Sequence, residues 1–292
     1  MLCKDRNGNY ISNNDSRDRV IRALYESGAG RTLLKVLTKR PISVLGGMLL
    51  KTRVSSLLID SFVRNNGINM DEYLDLPYDS YNDFFIRKIK KAARPIDQEK
   101  THFISPADSK LYVSKIDANG SFRIKDSEYT FLSLTRSKKL AERYEGGYLM
   151  IFRLSVDDYH RYCYVDSGSK GRNYRIKGCF HTVNPIASDT VSVYKENQRE
   201  FSILNSDSFG KILMMEVGAM MVGKIVNYHE RAEVKRGMEK GRFEFGGSTV
   251  ILAVEKDRVI LDEDILQNSE KAIETKVRMG EKIGTTFISD NR

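Results

Sequence analysis

The chain has 292 residues, 40% of them hydrophobic, and a net charge of +9; it is long enough for one large domain or two ordinary ones with a sizeable core. Its three cysteines, Cys3, Cys163 and Cys179, are too few and too odd in number for a disulfide framework. No C-x-x-C or histidine-rich spacing marks a zinc site, so reduced thiols and no metal are expected.

Residues 1–15 are polar and are expected to fray, and Asp5 and Arg6 sit where the apolar region of a signal peptide would build. Residues 1–64 hold twelve Lys and Arg against five Asp and Glu, an excess of +7 that seeks lipid headgroups or nucleic acid. No nucleic-acid recognition motif accompanies it, so nucleic acid is not expected as a partner. From Ser16 to about Arg64 the spacing is helical. Val20, Ile21, Leu24 and Tyr25 give one apolar face, Leu33, Leu34 and Leu37 a second, and Val54, Leu57, Leu58, Ile59 and Phe62 a third. The best apolar run, Ile42 to Leu50, is nine residues with two glycines, too short to span a bilayer. A short helix is predicted over Tyr81 to Ile89, and Arg94-Pro95 closes the region.

From about Phe103 the texture changes. The β-prone runs KLYVSKI, YTFLSL, YLMIFRL, FSIL, KILMMEV, GRFEF, TVILAV and DRVIL follow one another, separated by turns such as Ala118-Asn119-Gly120 and Glu145-Gly146-Gly147. One helix near Ser137 to Tyr144 interrupts them. The expected fold is α+β: a basic helical segment over residues 1–95, membrane-facing or with its apolar faces packed on the β core, then a mostly antiparallel β core over residues 96–292, for which a barrel-sandwich is one form.

Four histidines are present. His160 lies in LSVDDYHRYCYVDSG, where Asp158 and His160 share a face of an extended segment. An imidazole beside a carboxylate is a good proton acceptor near neutral pH; a surface histidine in a charged turn fits the same residues. Asp108, in FISPADSKLYV, stands where an Asx turn or cap is common. His181, in GCFHTVNPIA, ends a strand before an Asn-Pro turn, and structural and functional readings both fit. The stretch FEFGGSTVILAVE sets Gly246-Gly247 inside a β pattern directly before Ser248. It marks a bulge or tight turn and is not the hydrolase elbow G-x-S-x-G, because Val250 fills the last position. Such a serine can attack the carbonyl just before it. Gly247 has no side chain to block the approach and tolerates strained dihedrals, and the ester formed can eliminate to leave a pyruvoyl group.

The chain resembles the phosphatidylserine decarboxylases of the short bacterial kind. The likeness rests on SPADSK around Asp108, RLSVDDYHRY around His160, FHTVNPIA around His181, VGAMMVGKI, and KRGMEKGRFEFGGSTV, with FFIRKIKKAARPID ahead of them; their order and spacing together are specific. It implies self-cleavage between Gly247 and Ser248, giving a large chain 1–247 and a small chain 248–292. Ser248 becomes a covalent pyruvoyl cofactor. His160 takes the proton of Ser248, and Asp108 orients the imidazole. The mature enzyme would convert phosphatidylserine to phosphatidylethanolamine at the cytoplasmic face of the cell membrane, as a peripheral protein, with the pyruvoyl group as electron sink. Many relatives have a second histidine three residues after the first, where this chain has Cys163, so His160 is expected to serve both cleavage and decarboxylation, with His181 in reserve. Two other readings are a non-enzymatic carrier-like β domain at a membrane surface and a pyruvoyl decarboxylase of a soluble amino acid. A homo-oligomer is left open.

Overall fold

The runs YLMIFRL and TVILAV are apolar at nearly every step rather than every second one, a pattern that demands burial on both faces. Both form central strands of one large sheet. The computed structural model describes residues 2–11, 27, 40–124, 127–179, 181, 193–218, 224–244 and 248–287. Its strands, in chain order, are β1 (Cys3–Lys4), β2 (Tyr10–Ile11), β3 (His102–Ile104), β4 (Ser109–Lys115), β5 (Ser121–Ile124), β6 (Ser127–Thr130), β7 (Tyr148–Leu154), β8 (Arg161–Cys163), β9 (Gly168–Lys170) and β10 (Tyr174–Ile176). They continue with β11 (Arg199–Ser206), β12 (Gly210–Gly218), β13 (Lys224–Asn227), β14 (Ala232–Val234), β15 (Glu239–Glu244), β16 (Ser248–Val254), β17 (Val259–Leu261), β18 (Glu274–Val277) and β19 (Lys282–Thr286). The helices are α1 (Arg40–Leu49), α2 (Ile59–Asn66), α3 (Tyr81–Phe85), α4 (Phe131–Thr135), α5 (Lys138–Tyr144), α6 (Val193–Glu196) and α7 (Glu263–Glu270).

The large sheet runs β14-β9-β11-β12-β16-β7-β4-β18-β1-β2, with β10 also on β11. Every pairing in it is antiparallel except β1 with β18. The fold is therefore the expected α+β type with a mostly antiparallel core. The path has two ends, β14 and β2, and no pairing closes it into a barrel among the described residues.

Alternation along β16 and β7 sends side chains into two cores. Val250, Leu252, Phe152 and Leu154 join Met214 and Phe243 in one, which fills the space between the large sheet and two three-stranded sheets, β13-β15-β8 and β17-β19-β3. Ile251, Ala253, Leu149 and Ile151 join the other, with Phe131 and Leu134 of α4, Tyr144 of α5 and Phe122 of the β5–β6 hairpin. Each such buried aliphatic or aromatic side chain contributes about 1.5–3 kcal/mol relative to an exposed one.

Three local expectations change. The first residues do not fray: β1 pairs with β18 and β2. Arg6 anchors this segment, donating from Nη2 to Asp262 at 2.7 Å, from Nε to Asp264 at 2.6 Å and from Nη1 to the Lys282 carbonyl at 2.9 Å. The run YTFLSL is half helix, because Thr130 and Ser133 form a reciprocal capping box that starts α4. The helix predicted over Tyr81 to Ile89 stops at Phe85; Ser80 caps its start, accepting from the Asp83 N–H.

The apolar faces proposed around Val20 and Leu33 lie outside the described residues. Among the described residues the third face is attached at one side only. Phe62 packs edge-on against Tyr81 and Phe84, with ring centroids 5.4 and 6.0 Å apart, and the Asn82 N–H donates to the Leu50 carbonyl at 3.0 Å. Val54 and Leu57 point away, 75% and 80% exposed. No helix among the described residues is long and apolar enough to cross a membrane.

Candidate active site

Ser248 is the first residue of β16 and lies at the heart of the sheet, opposite Gly218 of β12 and Leu154 of β7. Alternation points its side chain to the same face as Val250 and Leu252. Its hydroxyl is fully buried and has no hydrogen-bond partner among the described residues. Burying an unpaired hydroxyl costs about 1–3 kcal/mol in proteins, and groups left unpaired at that cost ask for a chemical reason. Gly247, the other half of the expected cleavage site, lies outside the described residues.

His160 precedes β8 and is also fully buried. Its Nδ1 lies 2.9 Å from the Asp158 carbonyl oxygen. A carbonyl only accepts, so Nδ1 carries the hydrogen and Nε2 is the free lone pair; Nε2 has no partner among the described residues either. Burial pushes the imidazole pKa down to about 3, against the opposing pull of the Asp158 carbonyl. The ring is therefore neutral near pH 7, a proton acceptor. Phe85 covers it, with ring centroids 4.1 Å apart. The His160 carbonyl accepts from the Phe243 N–H at 2.9 Å, which fixes His160 beside the strand whose chain leads on to Ser248. The expected Asp158 carboxylate is not the imidazole's partner. It accepts from the Ser155 N–H at 2.7 Å and pairs with Lys110 at 3.3 Å; the backbone of Asp158 does the orienting instead.

Asp108 is buried, but its carboxylate is held elsewhere. Arg94 grips it with Nε at 2.8 and 2.9 Å and Nη2 at 2.6 Å, and the Met279 N–H donates to it at 2.8 Å. Burial works against the Arg94 charge, yet Asp108 outweighs it and the guanidinium pKa is raised. No hydrogen bond joins Asp108 to His160 among the described residues. The two are linked through the backbone: the Cys163 N–H of β8 donates to the Pro106 carbonyl at 2.9 Å. Cys163 is buried, and burial pushes its thiol up to about 12, so this position holds a neutral group. His181 sits on another segment. Its N–H donates to Asn197 at 2.9 Å, and Asn197 in turn donates to the carbonyls of His181 at 2.7 Å and Gly218 at 2.8 Å.

Sequence reasoning missed a second feature on the Ser248 face. Glu216, opposite Val250, forms a fully buried ion pair with Lys240 of β15 at 2.7 Å. Asn227 bridges them, accepting from Lys240 at 2.7 Å and donating to Glu216 at 3.0 Å and Glu200 at 2.7 Å. Burial raises the Glu216 pKa, opposed by Lys240. This network pins β15, which carries the chain toward Ser248, onto β11 and β12. Arg94, Glu216 and Lys240 carried no local signal; each draws its meaning from a partner elsewhere in the chain.

A buried hydroxyl and a buried neutral imidazole, set in a rigid sheet, are the equipment of an enzyme. Residues 81–285 match the family model described as phosphatidylserine decarboxylase. The chain is 46% identical over 267 residues to phosphatidylserine decarboxylase proenzyme 2 of Clostridium acetobutylicum, covering 91% of each chain. It is 45% identical over 279 residues to the phosphatidylserine decarboxylase proenzyme of Clostridium tetani, covering 94% of each. The chain belongs to the phosphatidylserine decarboxylase family. Neither the carrier reading nor the soluble amino acid reading is favoured by these matches.

Proposed function

We propose that this chain is a proenzyme that cuts itself between Gly247 and Ser248 and then decarboxylates phosphatidylserine to phosphatidylethanolamine. The observation that carries the reading is a pair of fully buried atoms without a hydrogen-bond partner among the described residues, Ser248 Oγ and His160 Nε2. In the cleavage step Oγ attacks the Gly247 carbonyl carbon, and His160 Nε2 takes the hydroxyl proton. The same nitrogen returns it to the Ser248 amide nitrogen as the peptide bond breaks and the ester forms. A positioned base of this kind contributes about 10²–10⁴-fold. Asp108, a buried carboxylate two residues from the Pro106 carbonyl that holds β8 at Cys163, takes a supporting role. Arg94 offsets its charge, so the contribution of Asp108 is smaller than that of His160.

The residues fit a pyruvoyl group derived from Ser248: the position is dry, strand-held and flanked by Gly218, which adds no side chain. That group supplies a ketone for the substrate amine and a conjugated carbonyl that accepts electrons. His160 Nε2, neutral near pH 7, first takes up a proton released by the substrate and then passes it to carbon.

The lipid is met by the membrane-facing part of residues 1–95, of which residues 3–11 are counted with the sheet. Exposed Leu45, Met48, Leu49, Val54, Leu57 and Leu58 stand beside exposed Lys51 and Arg53, the composition that suits an anionic bilayer surface. Lys51 pairs at 3.0 Å with Glu244 at the end of β15, so this segment attaches beside the strand to be cut. The site of action is the cytoplasmic face of the membrane. Denaturing mass measurement of the purified protein should give two polypeptides, the smaller beginning at position 248 and resisting Edman degradation because its N-terminus is a ketone. A single intact chain with full decarboxylase activity refutes the proposal.

A further inference from the structure

Cys179, His181 and Glu196 bring a thiol, an imidazole and a carboxylate together, with donor atoms all within 4.8 Å of one another. Their placement is enforced by backbone. The Cys179 N–H donates to the Glu196 carbonyl and the Gln198 N–H to the Cys179 carbonyl, both at 3.0 Å. Asn197, fully buried, clamps His181 from its amide to its carbonyl. Gly178 allows the two segments to meet, since a Cβ there would lie 2.2 Å from the Glu196 carbonyl oxygen. The Cys179 thiol and the His181 imidazole both come within reach of the Glu196 carboxylate.

The donor set is selective. Thiolate with imidazole and carboxylate suits zinc and its soft or borderline neighbours, and disfavours magnesium and calcium, which take oxygen ligands. The geometry is close to that required: His181 Nε2 lies 3.8 Å from Glu196 Oε2, against about 3.3 Å for nitrogen and oxygen on a tetrahedral zinc with bonds of about 2.0–2.2 Å. Glu196 is exposed and free to close that difference by a side-chain adjustment. Three protein ligands leave a fourth position for water or an incoming donor.

We infer that Cys179, His181 and Glu196 form a binding site for a zinc-class divalent cation with one open coordination position. Binding replaces the thiol proton by the metal and releases that proton to solvent. The site is not part of the relay. It is tied to it by Asn197, which also bonds Gly218, the strand partner of Ser248. A bound cation would occupy the imidazole of His181 and leave proton transfer to His160. The inference does not depend on the decarboxylase reading.

The full chain, stripped with chelator, reloaded with excess zinc and then dialysed, should retain one zinc ion per chain. Cobalt(II) in its place should give the visible bands of a tetrahedral ion and a near-ultraviolet thiolate charge-transfer band. Cys179→Ser should abolish that ultraviolet band and weaken zinc binding by more than the roughly 10–100-fold typical of losing a supporting contact. Glu196→Gln, at an exposed position where folding is safe, should keep the band and still weaken binding. The inference is overturned if wild-type protein retains no zinc, if the cobalt spectrum lacks the thiolate band, or if Glu196→Gln binds zinc as tightly as wild type.

Discussion

The centre of the large sheet and the segment from Arg40 to Asn66 draw on the same aliphatic residues and put them to opposite use. In β16, Val250, Leu252 and Val254 are wholly buried. In the N-terminal segment, Val54 and Leu57 stand out in solvent while Phe62 alone holds the segment's aromatic contacts to Tyr81 and Phe84. Hydrophobic period identifies a face, but it does not say what covers that face. In the sheet the covering is protein on both sides, and a serine hydroxyl can be kept dry there. In the segment the covering has to come from elsewhere.

That contrast can be broken from the sheet side first. His160→Ala should slow self-cleavage by about 10²–10⁴-fold, while Asp108→Asn should slow it less, because Arg94 already offsets the carboxylate; gel-based maturation time courses measure both. Equal rates for the two variants would restore a directly bonded relay. Glu216→Gln should destabilise the fold by about 3–5 kcal/mol, since it strands the buried Lys240 charge; urea unfolding of uncleaved protein reads this. A loss under 1 kcal/mol would mean that the network is not what pins β15.

Acid sharpens the comparison further. Burial lowers the His160 pKa from 6.5 to about 3. Between those values the unfolded chain binds a proton that the native chain refuses, so stability falls as pH falls through that window. The slope from this group is about 1.4 kcal/mol per pH unit below 6.5, and comparison with His160→Asn between pH 7 and 5 isolates it. A wild-type protein no more acid-sensitive than the variant would place the imidazole in contact with water. The smallest effect on stability belongs to the segment. Val54→Ser with Leu57→Ser should change it by no more than about 0.5 kcal/mol per site, as exposed positions do, yet should weaken binding to anionic vesicles about tenfold, a loss of about 1.4 kcal/mol. Unaltered vesicle binding would remove these side chains from the lipid contact.

Much of this was readable in the sequence where one residue's neighbours in the chain are also its neighbours in space. TVILAV and YLMIFRL declare a two-sided burial by themselves, and Ser248 and His160 stand inside motifs with a chemical rationale. FLSLT in α4 misleads because its apolar content suits strand and helix alike, and only the Thr130–Ser133 capping box decides between them. β1 and β2 are two residues each, too short to carry a period, and depend on Arg6 reaching acids far along the chain. Arg94 with Asp108, Lys240 with Glu216, and Glu196 with Cys179 are likewise pairings across the chain, and no local pattern announces them. The group that holds the imidazole is hidden for a different reason: backbone carbonyls have no letter in a sequence, and Nδ1 of His160 bonds the Asp158 carbonyl rather than its carboxylate.

One feature of the sheet bears on what a severed chain becomes. β16 is flanked by β12 and β7, and β18 by β4 and β1. A break before Ser248 would remove one covalent bond and no strand pairing. The shorter piece would remain interleaved, with its neighbours on both sides belonging to the longer one, and it could leave only by tearing the sheet at two places. Two subunits made this way come in equal number from one gene, never have to find each other by diffusion, and should not separate on dilution. The contacts that hold them together are the ones that fold the parent.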